Sequence, residues 1–193
     1  MLNYQVNKKQ IRKNFLSKRQ NLSKNEILIK SKIINEKIFG LINNLSGIQC
    51  VGLFYPFKKE VEVLGLCPLL EEKKIKVGLP VVENKISPLD FRIFSYQDNN
   101  VVKGYKDIPE PIHSPSVKPD LIVASCTAFS EDGYRVGYGG GFYDRTIKKL
   151  REKNKNFFTI LAAFDMQICD INFKEEFDQK VDYICTENKK IIT

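Results

Sequence analysis

The chain has 193 residues, a formal net charge of +8, and 42% hydrophobic and 28% charged residues. These values exclude a disordered chain, and we expect one folded domain that spans residues 1–193. The longest apolar runs, near residues 121–129 and 159–164, are too short to cross a bilayer, and the N-terminal residues lack the apolar core of a secretory signal. We therefore expect a cytoplasmic protein without a membrane partner.

Charge and cysteine content narrow the possible ligands. The excess of basic residues suits an anionic ligand, which could be a nucleotide, a polyanionic metabolite or a nucleic acid. The five cysteines are widely spaced and form no C-x-x-C pair, so neither a disulfide framework nor a zinc site is expected. The single histidine excludes a His-rich metal site. We expect buried, reduced thiols at Cys50, Cys67, Cys126, Cys169 and Cys185.

The N-terminal part of the chain predicts a pair of helices. The first is a basic amphipathic helix over residues 3–17, with apolar side chains facing the core and basic side chains facing solvent. The inward set is Val6, Ile11 and Phe15, and the outward set is Lys8, Arg12 and Arg19. Ser23 and Glu26 then form a capping box, which predicts that a second helix begins there and runs to about residue 43.

The remainder of the chain alternates between strand and helix patterns. Strands are predicted near residues 48–55, 74–79, 89–93, 121–124 and 158–163, with the last at 181–185, and further helices at 64–73 and 142–151. Residues 108–111 contain two prolines and predict an extended loop. The pattern indicates an α/β domain with a mostly parallel central sheet flanked by helices, in which ligands bind at the carboxyl ends of the strands.

A glycine-rich segment, DGYRVGYGGGFYDR at residues 132–145, follows the most apolar strand. Glycine amides and the free amides of the next helix would form an anion site, to which Arg135 and Arg145 could add phosphate contacts and Asp144 a magnesium contact. The segment is neither a P-loop nor a dinucleotide fingerprint, because Gly-Lys-Ser/Thr is absent and Phe142 replaces the last glycine. Spacing alone leaves open a plain glycine-rich turn with Asp144 as a helix cap.

The same segment resembles the signature R-L-G-Y-G-G-G-Y-Y-D-R of the 5-formyltetrahydrofolate cyclo-ligase family, with Val136 and Phe142 as mild replacements. The resemblance extends along most of the chain, although Ser125 and Ser130 stand where the family usually has Pro and Asp. The further matches are Lys8 and Arg12, Tyr55-Pro56, Glu60-Val61, Leu79-Pro80, Glu110-Pro111, Asp120, Ala128-Phe129 and Val181-Asp182.

The resemblance implies an enzyme that converts 5-formyltetrahydrofolate, ATP and Mg²⁺ into 5,10-methenyltetrahydrofolate, ADP and phosphate, acting as a monomer. It also implies roles for individual residues. Catalysis would involve Arg135, Tyr138 and Arg145, and the metal ligands would be Asp144 and Asp182. ATP would contact Lys8, Lys9, Gln10, Ile11, Arg12, Arg135, Val136, Gly137, Tyr138, Gly139, Gly140, Gly141, Phe142 and Tyr143. Folate would contact Tyr55 and Glu60 together with Tyr138, Gly139, Gly140, Gly141 and Phe142.

Two other functions are compatible with parts of the sequence. A sugar-phosphate isomerase or a CoA-transferase-like enzyme could use the glycine-rich segment for a substrate phosphate, without ATP. A nucleic-acid-binding protein could use the basic charge, although the lysines are dispersed and no RNA-binding signature is present. The match at Lys8 and Arg12 speaks against the first alternative, and the dispersed lysines lead us to expect no nucleic-acid partner.

Overall fold

The computed structural model describes residues 7–97 and 101–193. The helices are α1 (Lys8–Gln20), α2 (Lys24–Asn44), α3 (Cys67–Glu72) and α4 (Phe142–Lys153). The strands are β1 (Cys50–Gly52), β2 (Lys76–Val81), β3 (Asp90–Ile93), β4 (Val102–Lys103), β5 (Pro109–Glu110), β6 (Ser116–Val117), β7 (Leu121–Ala124), β8 (Ala128–Phe129), β9 (Arg135–Val136), β10 (Phe158–Ala162), β11 (Tyr183–Cys185) and β12 (Lys190–Ile192). Within the described ranges, no helix has the length and apolar character that a bilayer span requires.

Eight of the strands form one sheet, in the order β12-β11-β10-β7-β1-β2-β3-β6. The five strands from β11 to β2 run parallel, and antiparallel pairing extends the sheet at both edges. The expected α/β fold with a mostly parallel central sheet is confirmed. Two further ribbons, β4–β5 and β8–β9, lie outside this sheet.

The order of the strands reverses at β1. The chain proceeds from β1 outward through β2 and β3 to β6, and then returns to place β7 on the other side of β1. Connections leave the sheet in opposite directions at such a point, so a crevice opens beyond the carboxyl ends of the two strands. The topology therefore predicts a ligand site between the ends of β1 and β7.

The central strand β7 is buried on both faces, as its run of apolar residues predicted. Leu121 packs in the cluster that contains Ile34 of α2, whereas its neighbour Ile122 packs in the cluster that contains Ile147 of α4. Successive side chains of a strand point to opposite faces, so the two helices cover opposite sides of the sheet. Each such buried side chain contributes about 1.5–3 kcal/mol. The sheet is a rigid base for the loops at its carboxyl edge.

The predicted N-terminal helices are present. The capping box at the start of α2 is confirmed, because the Ser23 hydroxyl accepts from the amide of Glu26 at 3.2 Å and a carboxylate oxygen of Glu26 accepts from the amide of Ser23 at 2.8 Å. Helix α1 begins at Lys8, capped by the Asn7 side chain. Ile11 is buried as expected, whereas Val6 lies outside the described residues.

Two expectations about the fold are wrong. Arg19 does not face solvent, since only 1% of it is exposed, and its guanidinium is surrounded by polar partners contributed by distant parts of the chain. The final strand is β12, which pairs antiparallel with β11 at the edge of the sheet. A three-residue edge strand is too short to show a clear alternation of apolar and polar residues. This explains why the last strand predicted from the sequence was β11.

The five cysteines are buried and unpaired, as expected. Burial raises the pKa of Cys50, Cys67, Cys126 and Cys185 to about 12. These thiols therefore stay protonated at neutral pH and behave as small apolar side chains rather than nucleophiles.

Candidate active site

A cavity of about 780 Å³ lies at the carboxyl edge of the sheet, where the topology predicts it. Tyr55 follows β1, Val82 follows β2 and Ser125 follows β7, and all three line this cavity. Helix α1, the glycine-rich segment, the residues around β5 and the segment 175–179 close its sides. The volume is within the range of small-molecule sites in proteins.

The glycine-rich segment wraps around one side of the cavity. Strands β8 and β9 form a short antiparallel ribbon, and the loop that follows leads into α4. Gly139 and Gly141 have φ values of 95° and 66°, a conformation that other residues avoid. Gly141 caps α4, and a Cβ at this position would lie 2.7 Å from a guanidinium nitrogen of Arg145. The free amides and positive end of the helix dipole therefore adjoin the cavity, as an anion site requires.

Arg135 and Asp144 form a fixed pair at this edge. An Arg135 Nη2 proton is donated to Asp144 Oδ1 at 3.0 Å, and Nη1 donates to the carbonyl of Gln179 at 2.7 Å. The amide of Gln179 donates to the same carboxylate oxygen at 3.0 Å. The guanidinium also lies 5.5 Å from the ring centre of Tyr143. Asp144 thus has a set orientation on the first turn of α4, and it is not the helix cap, because Gly141 takes that place.

The structure brings Lys8 and Arg12 of α1 to the cavity together, since residues four apart share a helix face. Lys8 Nζ lies 2.7 Å from Asp178 Oδ2 and 3.0 Å from Glu175 Oε2, so an acidic segment holds it. Arg12 Nε donates to the carbonyl of Gly137 at 2.7 Å and so links α1 to the glycine-rich loop.

The three residues between Lys8 and Arg12 do not line the cavity. Lys9 and Gln10 are exposed on other faces of the helix. Ile11 is buried in a small cluster with Val136 and Ala128, where it fixes α1 against β8 and β9. The helix geometry therefore separates the expected stretch of five ATP contacts into two cavity residues and three that face elsewhere.

Arg145 lines the cavity but is engaged with a neighbouring loop. Its Nη2 lies 3.1 Å from the carbonyl of Lys85 and 3.4 Å from that of Ser87, and its guanidinium lies 5.1 Å from the ring centre of Phe142. These contacts join α4 to the loop that follows β2. The expected catalytic role of Arg145 stays a prediction.

Glu60 and Tyr138 line the cavity at its inner end. Glu60 is 3% exposed, and its Oε2 accepts from the amide of Phe57 at 2.9 Å. Its Oε1 has no hydrogen-bond partner among the described residues and lies 4.0 Å from Arg19 Nη2. Burial raises the pKa of Glu60, and Arg19 opposes that rise. Burial also raises the pKa of Tyr138, so its phenol keeps a proton to donate.

Asp182 lies apart from this cavity, which corrects the expectation that it shares a metal ion with Asp144. Its Oδ2 accepts from the amide of Thr159 at 2.7 Å, and its Oδ1 accepts from Arg151 at 2.9 Å. Thr159 is near the amino end of β10, whereas the cavity adjoins carboxyl ends. Asp182 lines a separate shallow depression with Arg151. The structure thus gives Asp182 a role in joining the starts of β10 and β11.

Several residues that line the cavity or lie next to it were not predicted from the sequence. Asp178 and Glu175 form the acidic partner of Lys8, and no local pattern marks them. Glu110 is 4% exposed and lines the cavity, and burial raises its pKa. Arg19 could have been found, because it follows Arg12 by seven residues and so lies on the same face of α1 two turns later.

Comparison with known proteins gives the family of the chain. The model of the 5-formyltetrahydrofolate cyclo-ligase family matches residues 4–187. The chain belongs to this family. A 5-formyltetrahydrofolate cyclo-ligase of Mycoplasma pneumoniae is 27% identical over 94% of this chain and 99% of that protein. The Escherichia coli K12 cyclo-ligase is 28% identical over 72% of this chain and 78% of that protein.

Solved structures of cyclo-ligase relatives share the fold. A 5,10-methenyltetrahydrofolate synthetase from Mycoplasma pneumoniae superposes with a TM-score of 0.76 at 23% identity, covering 94% of this chain and 99% of the other. The Aquifex aeolicus 5,10-methenyltetrahydrofolate synthetase gives a TM-score of 0.76 at 27% identity, covering 96% of this chain and 92% of the other. Membership of the cyclo-ligase family identifies an enzyme, a ligase of folate one-carbon metabolism, and favours this activity over the isomerase and transferase alternatives.

Proposed function

We propose that the protein converts 5-formyltetrahydrofolate to 5,10-methenyltetrahydrofolate with ATP and Mg²⁺, releasing ADP and phosphate. One observation carries the proposal: a single cavity has an anion-binding side and a carboxylate-containing inner end. The anion-binding side consists of the glycine-rich loop, the start of α4, Lys8 and Arg12. The inner end contains the buried Glu60 and Tyr138. A triphosphate suits the first, and a flat ring with N–H donors suits the second.

The chemistry explains why two ligands must meet. The formyl group on N5 of the substrate is an amide, so its carbon is a weak electrophile and its oxygen a poor leaving group. In the proposed reaction the formyl oxygen attacks the γ-phosphorus of ATP, and the bond to ADP breaks. N10 then attacks the activated carbon and loses its proton, the ring closes, and phosphate leaves with the former formyl oxygen. The protein contributes positioning and charge stabilisation.

The ATP-binding side is assigned to Lys8, Arg12 and Arg135 together with the loop residues 136–143. The two cations of α1 would contact the phosphates, and the amides around Gly139 and Gly141 would bind their oxygens. Arg135 is buried and held by Asp144 and Gln179, so its charge is oriented before the nucleotide binds. Such preorganisation lowers the cost of stabilising charge during phosphoryl transfer.

The folate side is assigned to Tyr55, Glu60 and Tyr138. An ionised carboxylate accepts two hydrogen bonds, which suits the amino and ring N–H donors of a pterin. Tyr55 is half-buried at the end of β1 and could contact the flat face of the ring. Ser125, which replaces the usual proline of the family, lines the same end of the cavity.

The residues present fit a magnesium ion through Asp144. Its carboxylate lies at the start of α4 beside the proposed phosphate site, and its Oδ1 is already fixed by Arg135 and Gln179. Mg²⁺ is often held by one or two carboxylates plus phosphate oxygens and water, so one protein ligand suffices. Bound there, the ion would neutralise phosphate charge. Asp182 is left out of this proposal because it lies at the other end of β10.

The test of the function is the near-ultraviolet absorbance of the purified protein mixed with 5-formyltetrahydrofolate, ATP and Mg²⁺. The methenyl product has an extended chromophore that the substrate lacks, so a rise that requires all three components is the expected result. ATP binding measured by calorimetry serves as the control for a folded site. Binding of ATP without an absorbance rise would point to another phosphoryl acceptor, and it would contradict the proposal.

Asp144→Asn is expected to lower turnover on the order of 100-fold and to raise the Mg²⁺ concentration required, since one carboxylate charge beside the metal is lost. The amide oxygen of asparagine can still accept from Arg135 and Gln179, so folding should be little affected. Turnover is measured as a function of Mg²⁺ concentration.

Asp182→Asn is the matched control. It is expected to lower the melting temperature by weakening the contacts with Thr159 and Arg151, and to leave the Mg²⁺ dependence unchanged. A shifted Mg²⁺ dependence in this variant and not in Asp144→Asn would reverse the assignment.

The location, oligomeric state and partners of the protein are also inferred. We infer a cytoplasmic monomer that binds no nucleic acid, since the basic residues that line the cavity are assigned to ATP. Titration of the protein with RNA near physiological salt is expected to show no binding, and sedimentation is expected to give one chain per particle. Tight, salt-dependent RNA binding would bring the nucleic-acid alternative forward.

A further inference from the structure

Arg19 is a buried cation next to the cavity but not in its wall. Its side chain is 1% exposed, and it is absent from the residues that line the cavity. Nη1 donates to the carbonyl of Cys126 at 2.8 Å, and Nε donates to the carbonyl of Lys58 at 3.1 Å. Nη2 donates to the phenolic oxygen of Tyr138 and lies 4.0 Å from Glu60 Oε1. Burying a guanidinium is costly, so its retention calls for a physical reason.

The two groups that Arg19 faces both line the cavity. Glu60 Oε1 has no hydrogen-bond partner among the described residues, although the side chain is almost wholly buried. An unpartnered buried carboxylate oxygen costs stability unless a ligand supplies a donor. The phenolic oxygen of Tyr138 already accepts from Arg19, so its own proton points to other acceptors, which are the carbonyl of Phe57 at 3.4 Å and the neighbouring carboxylate of Glu60.

We propose that Arg19 is a positioning residue that prepares Glu60 and Tyr138 for a ligand with N–H donors, which in the proposed function is the pterin of the folate. The inference rests on that proposed function for the identity of the ligand. Arg19 acts in two ways: its charge favours the ionised, accepting form of Glu60, and its hydrogen bond orients the phenol of Tyr138. It touches neither the folate nor ATP.

The electrostatic part follows from the groups that surround Glu60. Burial raises the pKa of this carboxyl, while the charge of Arg19, the amide of Phe57 and hydrogen bonds from neighbouring hydroxyls lower it. The other groups that face it are the hydroxyls of Tyr138 and Tyr143, the hydroxyl of Ser125 and the thiol of Cys126. None of these is a cation, so the loss of Arg19 would raise the pKa of Glu60 further and favour its neutral form.

The kinetic test compares Arg19→Met and Arg19→Lys with the control Lys18→Met, which removes an exposed cation one residue away on α1. Arg19→Met is expected to raise the KM for 5-formyltetrahydrofolate at least about tenfold, because a buried charged contact is lost, and to leave the KM for ATP unchanged. The folate KM of Arg19→Met should also depend on pH more strongly than that of the wild type. Lys18→Met should match the wild type throughout.

Arg19→Lys separates the charge effect on Glu60 from the hydrogen bond to Tyr138. It also tests the proposal if the methionine variant does not fold. Lysine keeps the charge but cannot reproduce the three-way fork of the guanidinium, so the pH dependence should be as in the wild type while the folate KM rises. Combining Arg19→Lys with Tyr138→Phe should add little to either single change, because both remove one contact. A wild-type folate KM in Arg19→Lys, or an equal rise in the KM for ATP, would overturn the proposal.

A second measurement needs no substrate. Because the pKa of Glu60 is raised on folding, its contribution to folding stability is lost as the pH rises from the unfolded pKa through the folded one. Without Arg19 this window extends to higher pH. Above the unfolded pKa of Glu60, the free energy of unfolding measured with urea should therefore fall more steeply with rising pH in Arg19→Met than in the wild type, and Arg19→Met/Glu60→Gln should not show that excess.

The two measurements separate the two proposals. If the wild-type protein forms no methenyl product, the proposed function fails, but the urea titrations still decide whether Arg19 acts on Glu60. If the product forms and the pH dependence of stability is the same in Arg19→Met and the wild type, the proposed action of Arg19 on Glu60 is wrong.

Discussion

Lys8→Met is expected to raise the KM for ATP about 100-fold or more, because one partner of a part-buried charge cluster is removed at the phosphate site. Lys8 Nζ lies 2.7 Å from Asp178 Oδ2, and both side chains are 12% exposed. Without the lysine, the carboxylates of Asp178 and Glu175 would adjoin the triphosphate without compensation. Repulsion is then added to the lost attraction. Steady-state kinetics and calorimetric ATP binding measure the effect.

A second substitution tests whether the effect of Lys8→Met on ATP binding comes from the changed charge or from altered folding. Asp178→Asn in the Lys8→Met background is expected to recover part of the ATP affinity, since it removes the uncompensated charge. Lys13→Met, an exposed cation on the same helix that does not line the cavity, is the control and should bind ATP as the wild type does. A wild-type KM for ATP in Lys8→Met would mean that Lys8 only fixes the segment 175–178 to α1.

Glu60→Gln is expected to raise the folate KM about 100-fold or more and to leave ATP binding unchanged, since an accepting carboxylate is replaced by a group that also presents donors. Glutamine has the same shape, so the amide of Phe57 keeps an acceptor. The two N–H donors of the pterin would then face one amide oxygen and one NH2 group instead of two accepting oxygens. Kinetics with each substrate varied separately, with the other saturating, distinguish the two KM values.

The control for this change is Glu62→Gln. Glu62 is two residues away and half-buried, and burial raises its pKa as well, but its side chain does not line the cavity. It should leave both KM values unchanged. If Glu60→Gln raised the KM for ATP and spared that for folate, the two ends of the cavity would have to be exchanged between the ligands.

Several elements were predictable because their causes are local. The capping box of Ser23 and Glu26 uses residues three apart, and it sets the start of α2. The run Leu121–Ala124 is apolar at every position, which predicts a strand covered on both faces. Short pieces such as β12 or β4 were not predicted, since two or three residues do not establish a period and edge pairing depends on a neighbour brought by the fold.

The sequence by itself determined the family, the order of the helices and of the main strands, and the glycine-rich segment, because a helix start, a buried strand and a turn with positive φ each depend on neighbouring residues. Only the tertiary structure decided which charges meet. Lys8 and Asp178 are 170 positions apart, and Arg19 reaches Tyr138 across 119. Such contacts arise because parallel pairing brings distant loops together at the carboxyl ends of the strands. The same pairing places Asp182 at the opposite, amino ends.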